Sequence, residues 1–70
     1  MLLGNKIRSL RDERGILQRQ VAVYLEIDTP MFSKIERGDR QAKRAQVVQM
    51  AKYFKVNEKK MLSLWLAVIL

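Results

Sequence analysis

Seventy residues make one domain at most, near the lower size at which a chain closes a core unaided, and with no cysteine neither a disulfide nor a thiolate zinc site can support it. Histidine is also missing, so the usual general base and the usual metal-binding imidazole are gone, and an enzyme or metal centre is hard to build from what remains. The formal charge of +7, from 14 basic and 7 acidic residues, favours a polyanionic partner, either nucleic acid or an acidic membrane surface.

Every segment reads helical, and nothing alternates with period two for long enough to form a strand. Met1-Leu2-Leu3 runs at once into Gly4, Asn5 and Lys6, too little for a signal-peptide core. The first helix carries Leu3, Ile7 and Leu10 on one face, with Lys6, Arg8, Arg11 and Arg14 elsewhere around it, and Gly15 supplies a left-handed stop. A second, short helix is expected from about Gln18 to Leu25, with Val21, Ala22 and Leu25 inward. Glu26-Ile27-Asp28 makes a tight connection. Asp28 or Thr29 then caps a third helix, whose first turn holds Pro30 where a missing N–H costs nothing. Phe32 and Ile35 point inward from it, and Gly38 ends it.

The loop from Asp39 to Lys43 is polar and basic. A fourth helix spans roughly Arg44 to Phe54, with Val47, Val48, Met50, Ala51 and Phe54 as its apolar positions, and Asn57 caps a fifth that begins at Glu58. The end of that helix, Leu64 to Leu70, is apolar on every face but far too short to span a bilayer. The expected fold is therefore all-α: one domain over residues 1–70, a compact bundle of five helices, read as cytoplasmic.

Two helices joined by a three-residue turn, the second entered through a cap and ended by glycine, have helix-turn-helix spacing, although any small helical bundle could share it. Ala22 has to be small because the two helices cross closely there, and Ile27 plugs the turn into the core. Phe32 and Ile35 lock the back of the third helix, which leaves Thr29, Pro30, Ser33, Lys34 and Arg37 facing out.

Gln18-Arg19-Gln20-Val21-Ala22, then Leu25-Glu26-Ile27-Asp28, then Phe32-Ser33-Lys34-Ile35-Glu36-Arg37-Gly38 resembles the phage-repressor (Cro, XRE) helix-turn-helix family. The resemblance runs from about Leu3 to Leu62, and the Ile-Glu-x-Gly ending of the third helix is among its more specific parts. It implies a lambda-repressor-like domain and a repressor-type regulator of transcription, with the third helix in the major groove of double-stranded DNA. Gln18, with Arg19 beside it and the main-chain N–H groups there, is implied to meet the phosphate backbone. Thr29, Pro30, Ser33 and Lys34 lie on the reading face; Lys34 either donates to guanine O6/N7 or neutralises a phosphate, and Thr29 meets a base edge or a thymine methyl. Arg37, Arg40, Lys43 and Arg44 form the densest basic cluster, where the family makes backbone and minor-groove contacts. Glu36 is implied to pair with Arg11.

The sequence departs from the family pattern at three places. Leu17 stands where a Ser or Thr cap is usual, so the second helix is expected to start with a frayed turn. Glu26 holds a turn position often given to glycine, where a left-handed conformation is mildly strained. Pro30 and Met31 replace polar base readers.

A monomer of this size cannot bury all of the apolar tail, and such a patch usually marks an interface. Leu62, Trp65, Leu66 and Ile69 are the expected contacts of a homodimer on a palindromic operator, unless a continuation of the chain covers Val68 to Leu70. The competing readings are a protein-interaction module or an antitoxin-type partner-binding protein, and a peripheral membrane binder, for which the tail's polar face is too small. No cofactor, metal or small-molecule ligand is expected.

Overall fold

Leu3, Ile7 and Leu10 are all buried, on the inner stripe of a helix that runs to Arg14. The computed structural model describes residues 2–67, and in chain order they form α1 (Leu2–Arg14), α2 (Gln18–Leu25), α3 (Thr29–Arg37), α4 (Arg44–Phe54) and α5 (Glu58–Ala67), with no strand among the described residues. Each helix contributes a short apolar stripe to a common core. Val21, Ala22 and Leu25 come from α2, Phe32 and Ile35 from α3, and Val47, Met50, Ala51 and Phe54 from α4. Met61 of α5 closes that core from the side. α1 packs on α3 and α5, and α4 packs on α2 and α5. No helix is long and apolar enough to cross a membrane among the described residues.

The helix ends are held in two different ways. Asp28 Oδ1 accepts the Met31 N–H at 2.7 Å and Asn57 Oδ1 accepts the Lys60 N–H at 3.0 Å, so α3 and α5 carry ordinary side-chain caps. Leu17, which precedes α2, has no side-chain acceptor to offer, yet the frayed turn expected there is not found. Gln20 Oε1 reaches back to take the Leu17 N–H at 2.7 Å, the reverse half of a capping box. α4 uses the same device, with Gln46 Oε1 on the Lys43 N–H at 2.8 Å. At the other ends, Gly38 closes α3 with φ 86°, and Glu26 closes α2 in the left-handed region with φ 59°, the mild strain its sequence position implied. Lys55 does the same for α4 at φ 56°.

The α1–α3 crossing fixes the orientation of α3. Gly4 lies so close to α3 that a Cβ there would overlap the Glu36 carbonyl oxygen and come within 3.0 Å of its carbon. Further along α1, Arg11 Nε and Nη2 donate to the two carboxylate oxygens of Glu36 at 2.8 and 2.7 Å, and Arg11 Nη1 donates to the Ile16 carbonyl at 3.0 Å. The hydrogen bond to Glu36 raises the Arg11 pKa above its usual value, against desolvation that lowers it. A two-pronged pair of this kind sets angle as well as distance, because the guanidinium and carboxylate planes must match.

α5 departs from the sequence reading. Leu62, Leu64 and Trp65 pack against the chain's own core, and the Trp65 indole Nε1–H donates to the Ala42 carbonyl at 2.6 Å. Leu62 and Trp65, expected as contacts to a second chain, are thus largely engaged internally. Leu66 stays 51% exposed. Ile69, the fourth expected contact, lies outside the described residues.

Candidate nucleic-acid interface

With Phe32, Ile35 and Glu36 all buried, the 3.6-residue period of α3 turns the remaining positions outward. Pro30, Lys34 and Arg37 are exposed, while Thr29 and Ser33 are half-buried at the edges of the same face. This is the set that the sequence leaves facing out from α3. The face is rigid because its back is locked by two large apolar side chains and by the Arg11–Glu36 pair.

The loop after α3 folds back onto the end of that helix. The N–H groups of Asp39 and Arg40 both donate to the Lys34 carbonyl, at 2.8 and 3.2 Å, so Arg40 leaves the chain right beside the base of α3. Arg40, Lys43 and Arg44 are exposed, and none of them, nor Lys34, takes part in an ion pair among the described residues. Arg37 differs from them: its Nε lies 3.2 Å from Asp39 Oδ2, with both side chains more than half exposed. Such a pair is worth little in water, yet it lowers the net charge that Arg37 presents. The sequence places Arg37 in one basic cluster with Arg40, Lys43 and Arg44; the opposite charges on either side of Gly38 are the signal that sets it apart.

Gln18 is half-buried and Arg19 exposed, at the start of α2. Neither α2 nor α4 has a side-chain cap, so the first backbone N–H groups of both helices remain available to an outside acceptor. Each such end carries partial positive charge, with Arg19 beside one and Lys43 and Arg44 beside the other. α2 packs against both α3 and α4, which ties these two helix ends to the frame that holds α3. No hydrogen bond or ion pair among the described residues joins Gln18 or Arg19 to α3, so packing alone relates them. Among the described residues no cluster of carboxylates could hold a metal ion.

The arrangement offers donors and cations, with few acceptors, around one outward helix. No curated protein and no solved structure matches the chain significantly. The sequence pattern of the helix-turn-helix domain does match, over residues 2–64, from the start of α1 to within three residues of the end of α5. The chain belongs to the helix-turn-helix domain family.

Proposed function

We propose that the protein is a transcriptional regulator of the repressor type that binds double-stranded DNA sequence-specifically, with residues 1–70 acting as one DNA-binding domain. The observation that carries this reading is the α3 face, buttressed from behind by Phe32, Ile35 and the Arg11–Glu36 pair and continued by a basic loop. In the proposed complex α3 enters the major groove. Lys34 donates to guanine, and Thr29, Pro30 and Ser33 meet neighbouring base edges or methyl groups. Gln18, Arg19 and the open N–H groups of α2 hold phosphates on one side; Arg37, Arg40, Lys43 and Arg44 hold them on the other.

The test is selection of bound duplexes from random DNA, followed by titration of the selected site over a range of salt. Arg40→Ala is expected to make the slope of log K against log salt shallower by about one unit, and Lys34→Ala to relax preference at one base position by about 1–3 kcal/mol. An unselective, salt-insensitive wild type sinks the reading. That result would favour a protein-interaction module instead, for which Val23, 76% exposed on α2 beside the half-exposed Tyr24, offers a surface.

The functional unit in this reading is a homodimer on a pseudo-palindromic operator. Each copy carries a single α3, and equivalent faces of successive DNA turns lie about 34 Å apart, so in this reading two copies read two half-sites. Leu66, exposed on α5, is the leading contact, with Leu62 and Ile69 as the further proposed contacts; Trp65, packed on the chain's own core and bonded to Ala42, is not counted among them. Sedimentation is expected to show a dimer for the wild type and a monomer for Leu66→Glu, with the variant binding the palindrome no better than a half-site. A wild type that stays monomeric at high micromolar concentration and binds half-sites and palindromes equally would overturn the dimer.

A further inference from the structure

We infer that Trp65 is a positioning residue for DNA binding: its indole holds the α3–α4 loop, and so fixes where Arg40, Lys43 and Arg44 present their charges. The inference rests on the DNA-binding reading above.

The loop of residues 38–43 has three anchors. At its start the Lys34 carbonyl takes the N–H groups of Asp39 and Arg40. At its end Gln46 takes the Lys43 N–H, and the Lys43 carbonyl receives the Val47 N–H as the first turn of α4 forms. Between them lies Ala42, whose side chain is buried and whose carbonyl sits one residue before that first helical acceptor. No backbone donor reaches this carbonyl among the described residues; the Trp65 Nε1–H does, at 2.6 Å. A carbonyl in such a part-buried place needs a donor, and an indole has one N–H and no acceptor, so the pairing runs in one direction only.

The position of Ala42 gives the contact its consequence. Arg40 lies two residues before it, Lys43 follows it, and Arg44 opens α4. Rotating the Ala42 peptide would swing the Lys43 side chain and the uncapped start of α4 together. A leucine or phenylalanine at position 65 could fill space against the core but could not hold that peptide. The ring is itself carried on α5, so the C-terminal helix sets the geometry of a loop distant in sequence, at a separation of 23 residues.

The experiment compares the full chain with Trp65→Phe, which keeps an aromatic ring and removes the donor. At a temperature where both are fully folded by circular dichroism, affinity for the wild-type-selected site is expected to fall about three- to tenfold. The salt slope is expected to become shallower by about one unit or more, as the loop cations lose register with phosphates. Base preference at the positions read by α3 should stay as in the wild type. Equal affinity and slope would overturn the inference, and so would lost affinity with an unchanged slope, the mark of a purely structural role. Amide exchange without DNA keeps this test separate from the DNA-binding reading. Faster exchange at Asp39, Arg40 and Lys43 in the variant supports the strut even where the wild type binds no duplex, and unchanged exchange overturns it. If Trp65→Phe does not fold, benzothienylalanine at position 65, which keeps both rings and replaces the N–H by sulfur, serves as the second variant under the same criteria.

Discussion

Glu36→Ala is expected to unfold most of the protein at room temperature. The Glu36 side chain is 5% exposed and its partner Arg11 12%, so the pair is shielded from water. Removing the carboxylate strands a guanidinium that keeps one bond, to the Ile16 carbonyl. Breaking a buried pair by deleting one partner costs about 3–5 kcal/mol, and a domain of this size has a total stability of about the same magnitude. Arg11→Ala leaves the complementary carboxylate unpaired against α1 and should cost a similar amount. Replacing both, as Arg11→Met with Glu36→Leu, should recover much of the loss, because neither charge is then buried alone. Urea unfolding of the four proteins gives the coupling directly. Single variants that each lose less than about 1 kcal/mol, with additive effects, would show that the pair does not hold α3.

Gly4→Ala is the second large effect, and its sign opposes what helix propensity alone dictates. In an open helix the change would stabilise by about 1 kcal/mol, since alanine gives up less backbone freedom on folding. Here the new methyl group meets the Glu36 backbone, which cannot rotate away as a side chain would. α1 must lift from α3, and the strain spreads to the Arg11–Glu36 pair at the same crossing. Overpacking of this kind costs about 1–3 kcal/mol, and the backbone contact puts this case at the upper end. Set against the propensity gain of about 1 kcal/mol, the net loss of about 2 kcal/mol lowers the melting temperature of a domain this small by about 8–16 °C. A melting temperature that rises in Gly4→Ala would mean that the two helices do not approach as described.

The helices were legible because their signals are local. Asp28 before Thr29-Pro30, and Asn57 before Glu58, mark helix starts within a few residues, and apolar spacing marks the inner faces. The outward set on α3 then followed from Phe32 and Ile35 by period alone. The Arg11–Glu36 pair joins residues 25 apart and came from family resemblance, since no spacing rule reaches that far. Gly4 was passed over because a close backbone crossing leaves no trace in the neighbouring residues. Trp65 was misjudged for a related reason: an apolar run shows that surface must be covered but not by what, and here much of the cover is the chain itself. Gln20 and Gln46 could have been read, each being a glutamine three residues into its helix, the reaching-back half of the capping box.

The packing of α1 on α5 bears on how the chain is made. Helix α1 finds part of its partner surface on α5, made some 45 residues later, and Met61, buried to 1% exposure, seals the core on that side. While the first four helices emerge, the apolar stripe of α1 faces solvent along that side. Closure of this domain therefore waits until α5 has been made, and a nascent chain stalled before α5 would present an unsealed core to chaperones and proteases.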